Sequence, residues 1–358
     1  MKQVAFYQSK TRESNFELLR LVCMFYIILH HFIVHGLKSS NYEEHSMFFN
    51  GFFVIAVNCF ILISGYFSIK TSWKGFFRLY IMCAFYGVLF LVVSVTYGDH
   101  LSIKKVIYSL LPFSQSGFWF IKCYFYLFLL SPMLNKVVDN CSKKEYIGLL
   151  LFWSILTFYC GFLWQGEINN RGYNVMNFIF LYFIGRFIAL HTQNAITAKK
   201  RTIYICVYLL CSIITGILSL SITHLNMDRK WLFTYVYPYN SPLMIISSIA
   251  FVLFFRSIKV QNKQINWCAQ SVLAVYLLHE NGFVGSRLYP YINKLGQHYA
   301  GHECVLVIYF VFLAITVMIV GILIDKIRQV ITNPIEKNIN RINWDAYTQK
   351  LINKLITL

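Results

Sequence analysis

Long apolar stretches alternate with short polar ones along the whole chain. The apolar stretches lie near residues 17–37, 46–68, 76–97, 118–134, 146–164, 174–190, 202–223, 240–255, 267–283 and 303–325. A helix needs about 20 mostly apolar residues to cross the roughly 30 Å hydrocarbon core of a bilayer. The pattern therefore predicts an all-α fold, a polytopic transmembrane helix bundle of about ten spans within residues 1–325.

The composition supports a membrane protein and gives its orientation. The chain is 58% hydrophobic and only 13% charged, whereas a soluble domain carries about 25% charged residues. Its net charge of +18 would suggest nucleic acid in a soluble protein, but the basic residues lie mostly in alternate loops. Such a bias marks the cytoplasmic loops of membrane proteins. We therefore expect both the N- and C-termini in the cytoplasm and no nucleic-acid partner.

The two ends of the chain give separate expectations. The first 16 residues are polar and lead into the first apolar stretch without a small-residue cleavage site, which argues against a removable signal peptide. Residues 326–358 alternate apolar side chains with Lys and Asn at helical spacing. This pattern predicts a cytoplasmic amphipathic tail that lies along the membrane surface.

The first span contains ionisable residues that share one face. Arg20 and His31 are eleven residues apart, which brings them within about 20° of each other around a helix, and Glu17 lies within about 40° of His31. Arg20 and His31 are separated by about 16 Å along the helix axis. Ionisable groups inside a span normally face a cavity or other helices, so this stripe is the first candidate for a functional site.

Each member of the stripe also has a simpler interpretation. Arg20 could extend to the cytoplasmic headgroups with Glu17 as its partner, and His31 could be an ordinary hydrogen-bonding group between helices. The near-neutral pKa of histidine also suits His31 to general-base or proton-relay work. His30 points about 100° away from His31 and His35 is near the outer rim, so both rank below it.

The ninth apolar stretch ends with a second ionisable pair, His279 and Glu280. The expected direction of that span brings the pair near the outer face, where it could meet His31 from across the bundle. The alternative is an ordinary helix end at the aqueous interface.

Three motifs together resemble the acyltransferase-3 family of bacterial integral membrane acyltransferases. The first is the opening helix, with residues 15–20 and 29–32 and the Arg20 to His31 spacing. The second is the Trp-Phe helix over residues 118–135 that ends in Ser-Pro and Asn, and the third is the Tyr-Leu-x-His-Glu segment over residues 276–280. The resemblance extends over all ten predicted spans and fits the stand-alone type, without a fused extracytoplasmic domain.

The resemblance implies an O-acyltransferase of the bacterial plasma membrane. Its donor would be acetyl-CoA or another acyl-CoA from the cytoplasm, used as co-substrate without a metal. Its acceptor would be a hydroxyl of a cell-surface polysaccharide or of a lipid-linked oligosaccharide. The catalytic candidates are His31, Arg20, Glu17, His279 and Glu280.

Donor binding is expected on the cytoplasmic side. Lys74 and Arg78 are the candidates for the phosphates of coenzyme A, and Trp119 is the third candidate, although a tryptophan at this depth can also be an interfacial belt residue. The family often has Arg-x-x-Arg in this loop, whereas Lys74 and Arg78 have three residues between them.

Two other classes of protein remain open at this point. A polytopic glycan flippase or polymerase is one, but a polymerase usually needs a large outer loop. A proton-coupled transporter that uses His31 and Glu17 as a relay is the other, but the chain shows no inverted repeat with paired broken helices. Neither the acceptor sugar nor the oligomeric state can be deduced from the residues.

Overall fold

The computed structural model describes residues 12–37, 43–114, 118–192, 197–228, 230–299, 301–344, 346–349 and 353, and in these ranges it contains helices and no strands. The helices are α1 Ser14–His31, α2 Glu43–Phe53, α3 Ala56–Phe67, α4 Trp73–Thr96, α5 Ile103–Leu110, α6 Trp119–Asn140, α7 Lys143–Ser154, α8 Val175–His191, α9 Ala198–His224, α10 Pro242–Arg256, α11 Lys263–Ala269, α12 Val272–His279, α13 Gly282–His298 and α14 Glu303–Arg341. The prediction of an all-α polytopic bundle is confirmed.

The predicted spans differ in length. Seven helical stretches in the described ranges are long and apolar enough to cross a membrane, namely Ser14–Gly36, His45–Phe67, Trp73–Thr96, Trp119–Asn140, Lys143–Leu163, Ala198–His224 and Glu303–Arg341. Val175–His191 and Pro242–Arg256 are apolar but shorter. The predicted span 267–283 is divided between α11, α12 and the start of α13. The expectation of about ten continuous spans is therefore met by seven long helices, two short ones and a broken one.

Helix α12 is too short to cross a bilayer, and it lies buried inside the bundle. Its eight residues extend over about 12 Å, far less than a bilayer core. Most of its side chains are buried, and Gly321 of α14 has no side chain where Val275 of α12 packs closely against it. A broken helix at membrane depth is tolerated when protein surrounds it. This break ends α12 in the interior, at His279.

The segment after α12 corrects one expectation. The apolar pattern leaves residues 284–302, between the ninth and tenth predicted spans, as the longest of the short outer loops. Instead Gly282–His298 forms α13, which begins where the Asn281 side chain accepts a hydrogen bond from the backbone N–H of Phe283 at 2.9 Å. Ile292 of α13 is fully buried and packs on Gly36 after α1. The segment is thus part of the bundle.

The ends of several elements meet at one end of the bundle, which we call the inner end. Ser14 at the start of α1 hydrogen-bonds the backbone of Asn262 before α11, and Phe16 packs on Phe67 at the end of α3. All these residues lie in segments that the charge pattern assigns to the cytoplasm. The cytoplasmic location of the two termini stays a prediction.

Helix α14 continues across the predicted boundary at residue 325. Its 39 residues extend over about 58 Å, almost twice the hydrocarbon core. Beyond it, Trp344 returns to pack against Trp73 and Phe77 of α4. The location of the tail at the membrane surface stays a prediction, and residues 350–352 and 354–358 lie outside the described ones.

Candidate active site

His31 meets both residues of the late His-Glu pair. Its Nδ1 lies 2.8 Å from Oε2 of Glu280 and 3.0 Å from Nε2 of His279. His31 is the last residue of α1, just before a π-helical turn over Phe32–Gly36, and such turns are frequent at functional sites. The expectation that these three residues meet across the bundle is confirmed.

The hydrogen bonds of His279 fix which nitrogen of His31 carries a proton. Nδ1 of His279 lies 2.7 Å from the carbonyl of Val275, which can only accept, so Nδ1 donates and Nε2 of a neutral His279 carries the lone pair. Both groups that face Nδ1 of His31 are then acceptors. Nδ1 of His31 therefore carries the proton, and its Nε2 has a free lone pair.

Tyr289 of α13 adds a second donor to the same carboxylate. Its hydroxyl donates to Oε2 of Glu280 at 3.1 Å. Glu280 thus accepts from both Tyr289 and His31, which holds the carboxylate beside the imidazole. A carboxylate that orients a histidine and stabilises its protonated form is the arrangement of a general base with its partner.

A cavity of about 220 Å³, which we call the chamber, connects His31 with the inner end. Its wall includes Arg20 at one end, His30 and His31 at the other, and Trp119 and Tyr276 between them. Arg20 and His31 are separated by about 16 Å along α1. The wall is mostly apolar, so an extended ligand with few charges fits it best.

Arg20 and Glu17 form the polar group at the inner end of the chamber. Nη1 of Arg20 lies 2.6 Å from Oε1 of Glu17, and the Arg20 guanidinium lies over the ring of Phe67 at 5.9 Å. Glu17 is buried. Both residues were predicted to be catalytic together with His31. The structure does not bring them to His31 but places them at the other end of the chamber.

His30 lines the same chamber as His31, although its position on the helix ranked it lower. Its Nδ1 lies 2.6 Å from Oδ1 of Asn50, a residue buried at 1% exposure. Two adjacent residues about 100° apart around the helix therefore both line the chamber.

The three predicted donor-binding residues lie in two places. Trp119 is the first residue of α6 and stacks on Tyr239 in the chamber wall, with ring centroids 5.5 Å apart. Lys74 and Arg78 lie instead at the start of α4, around a separate cavity of about 330 Å³. Arg78 faces Glu336 of α14 there, with Nε and Oε2 3.5 Å apart.

The loop that carries Lys74 is held by the end of α6. Pro132 has no N–H for the carbonyl of Phe128 one turn earlier, and that carbonyl instead accepts from the hydroxyls of Thr71 at 3.0 Å and Ser131 at 2.8 Å. Asn135 accepts from Ser68 and donates to the carbonyl of Ile69. The Ser-Pro and Asn motif thus fixes the α3–α4 loop, and with it the start of α4.

The same three residues around His31 could also hold a metal ion. One ligand atom from each of His31, His279 and Glu280 lies within 4.8 Å of the others. The sequence analysis expects no metal, and that expectation stays a prediction.

Comparison with protein families decides the class of protein. The model of the acyltransferase-3 family, described as an acyltransferase domain, matches residues 13–326. The chain belongs to this family. No curated protein and no solved structure matches it. The match runs from the start of α1 into α14, so α1, the chamber and α12 all lie inside the acyltransferase domain. The protein is a multi-pass membrane acyltransferase.

Sequence reasoning missed several residues of this acyltransferase-3 site. Tyr289 lies in a segment expected to be a loop, and Asn50 and Tyr239 are polar residues in or near apolar stretches. The signal that was available is their polarity at membrane depth, where a hydroxyl or an amide needs a partner. The partner itself becomes visible only in three dimensions.

Proposed function

We propose that the protein transfers an acetyl or other acyl group from cytoplasmic acyl-CoA to a hydroxyl of a cell-surface polysaccharide or a lipid-linked glycan. It would do so in the bacterial plasma membrane. The observation that carries the proposal is the chamber, because a single cavity joins an arginine at the inner end to an oriented histidine base. The family supports acyl transfer, and the donor and acceptor are our inference.

In this mechanism the donor enters from the inner end and the acceptor from the outer end. Nε2 of His31 removes the proton from the acceptor hydroxyl while the oxygen attacks the thioester carbonyl. The carbon–sulfur bond then breaks, and the protonated His31 returns its proton to the departing sulfur. The products are an ester and free coenzyme A, and the hydroxyl proton ends on the thiol, so the step needs no other reactant.

Each neighbour of His31 has a part in this step. Glu280 stabilises the imidazolium that forms, since its carboxylate already accepts from Nδ1 at 2.8 Å. His279 and Tyr289 hold the ring and the carboxylate in place. A positioned base of this kind contributes about 10² to 10⁴-fold to the rate.

Arg20 is assigned to the donor. It is too far from His31 to touch the same reacting atom, since about 16 Å separate them along α1. Glu17 holds the guanidinium at the inner end of the chamber. Glu17 is accordingly a positioning residue for Arg20 in this proposal.

The test uses membranes that contain the full-length protein, labelled acetyl-CoA and candidate glycans. The wild-type protein should form ester label that mild base removes, and His31→Ala should reduce its formation by about 10² to 10⁴-fold. His100→Ala, which changes an exposed histidine outside the chamber, should keep the wild-type rate. Wild-type ester formation by His31→Ala at normal expression would contradict the mechanism, and solute uptake without ester label would indicate a transporter instead.

A further inference from the structure

The tail that follows α14 folds back onto the start of α4. The rings of Trp344 and Trp73 stack with centroids 5.7 Å apart, and Trp344 lies 4.9 Å from the ring of Phe77. Nε1 of Trp73 also donates to the hydroxyl of Thr348 at 2.9 Å. These contacts place Trp344 and Thr348 beside the start of α4, which follows the loop that the Ser-Pro and Asn motif fixes.

A cleft of about 940 Å³ lies between this tail and α4. Its wall combines the aromatic rings of Trp73, Phe76 and Trp344 with the cations Lys74 and Arg341. Both cations are exposed, and neither forms an ion pair with a residue in the described ranges. The cleft therefore offers positive charge and flat aromatic surface at one place.

The cleft continues into the smaller cavity around Arg78. Ser72, Lys74 and Asn340 line both cavities, so that Lys74 stands between Arg341 on one side and Arg78 on the other. Arg78 faces Glu336 in the smaller cavity, so the cations that remain for a ligand are Lys74 and Arg341. Two cations at one cleft suit a ligand with more than one phosphate, because Arg and Lys bind phosphate oxygens through charge-assisted hydrogen bonds. Aromatic rings beside them suit a nucleobase, which stacks on such surfaces.

The cleft also lies next to the chamber. Tyr124 lines the chamber and Phe128 lines the cleft, and these residues of α6 are four positions, or about 6 Å, apart along the helix. Phe67, under the Arg20 guanidinium, is followed directly by the loop that leads to Ser72. A ligand held in the cleft would thus lie close to the inner end of the chamber.

We propose that the tail after α14 completes a nucleotide site, in which Trp344 stacks on the base and Arg341 and Lys74 bind the phosphates. Building on the proposed function, the ligand is the adenosine 3′,5′-bisphosphate end of an acyl-CoA donor, with the thioester arm directed into the chamber. The tail is then part of the donor site and not only a membrane-surface helix. An anionic lipid headgroup shares the phosphate chemistry but has no base to stack.

The experiment measures binding of adenosine 3′,5′-bisphosphate to the full-length protein in detergent by calorimetry. Arg341→Gln and Trp344→Ala should each raise the Kd by about tenfold or more, because each removes a direct contact to a phosphate or to the base. Lys337→Gln is the matched control: it removes one exposed cation from the same helix that lines neither cavity, and it should stay within about twofold of wild type. Trp344→Phe keeps an aromatic face and should restore most of the binding lost in Trp344→Ala.

Two further arms separate this inference from its rivals. Vesicles of phosphatidylglycerol supply phosphate without a base. If these vesicles raise the thermal stability of the protein, Arg341→Gln abolishes that rise, and the bisphosphate does not bind, the site binds a lipid headgroup and the nucleotide site is overturned. Tail variants that bind the bisphosphate as tightly as Lys337→Gln would overturn it as well.

An acyl-transfer assay distinguishes a failure of the nucleotide site from a failure of the proposed function. With acetyl-CoA the tail variants should show a raised KM, whereas with acetyl-pantetheine, which lacks the nucleotide, they should match wild type. If transfer depends on His31 but the tail variants behave as the control does, the inference fails and the proposed function stands. If bisphosphate binding depends on the tail but no acyl donor reacts, the nucleotide site stands and the proposed function fails.

Discussion

The two ends of the chamber are built differently. At the His31 end, the polar groups come from three separate elements, since His31 closes α1, Glu280 follows α12 and Tyr289 lies on α13. At the inner end, Arg20 is held by Glu17, three residues earlier on the same helix. The charged groups at the His31 end are therefore brought together by tertiary packing, whereas the Arg20–Glu17 ion pair at the inner end forms within α1, with Arg12 3.8 Å from the same carboxylate. This difference fits a reaction centre with fixed geometry at one end and a binding entrance at the other.

Among changes to the residues that hold His31, the largest effect is expected from Glu280→Gln. The amide still accepts a hydrogen bond, but it lacks the charge that stabilises a protonated His31. A charge-assisted hydrogen bond is worth about 1.5 to 3 kcal/mol, so kcat for acyl transfer should fall by about 10 to 150-fold while the KM for the donor stays near wild type. Glu303→Gln, an exposed glutamate at the start of α14, should change neither. A rise in the donor KM as large as the fall in kcat would show that Glu280 also affects donor binding, so that the two ends of the chamber do not act separately.

A smaller effect, on stability, is expected from Asn135→Ala. This change removes the side-chain hydrogen bonds to Ser68 and Ile69 that fix the α3–α4 loop, and the protein should lose about 1 to 3 kcal/mol of stability. Thermal unfolding in detergent measures the loss.

The control for that loop is on the same helix. Asn140 is exposed, and its side chain donates to the carbonyl of Lys136 one turn earlier on its own helix, so Asn140→Ala should leave the unfolding midpoint nearly unchanged. Equal midpoints for the two variants would mean that the Ser-Pro and Asn motif does not fix the loop.

The smallest effect is expected from Tyr289→Phe. It removes one hydrogen-bond donor to Glu280 and leaves His31 in place, so kcat should fall by about fivefold, which corresponds to a net hydrogen bond of about 1 kcal/mol. Tyr291→Phe on the same helix, whose hydroxyl pairs with Tyr309 outside the site, serves as the control. Equal rates for both variants would exclude Tyr289 from the site.

Sequence reasoning succeeded where the information is local. The apolar stretches predicted the long helices, and helical periodicity predicted that Arg20 and Glu17 lie together, because an i,i+3 pair needs only its own helix. The late pair His279 and Glu280 was also predicted to approach His31. The family resemblance rested on these residues together with the Trp-Phe helix over residues 118–135.

Sequence reasoning was wrong where packing overrides hydropathy. Residues 267–283 are mostly apolar, and the polar pairs at the two breaks, Gln270-Ser271 and Glu280-Asn281, are too short to divide the predicted span. Gly282–His298 is more polar than a span and was expected to be a loop, yet its buried Ile292 and its Tyr289 complete the His31 end. His30 was ranked below His31 because it points about 100° away around the helix, yet both residues line the chamber.

The central claim is that the chamber has a donor end at Arg20 and a reaction end at His31, and a paired measurement of donor binding and acyl transfer tests it most directly. His31→Ala should bind labelled acetyl-CoA within about twofold of wild type and transfer almost nothing. Arg20→Gln, made with Glu17→Gln so that the buried carboxylate is not left with only Arg12, 3.8 Å away, as its partner, should raise the donor Kd by about tenfold and still transfer at saturating donor. A His31→Ala protein that transfers at the wild-type rate, or an Arg20 variant with unchanged donor affinity, would contradict the account.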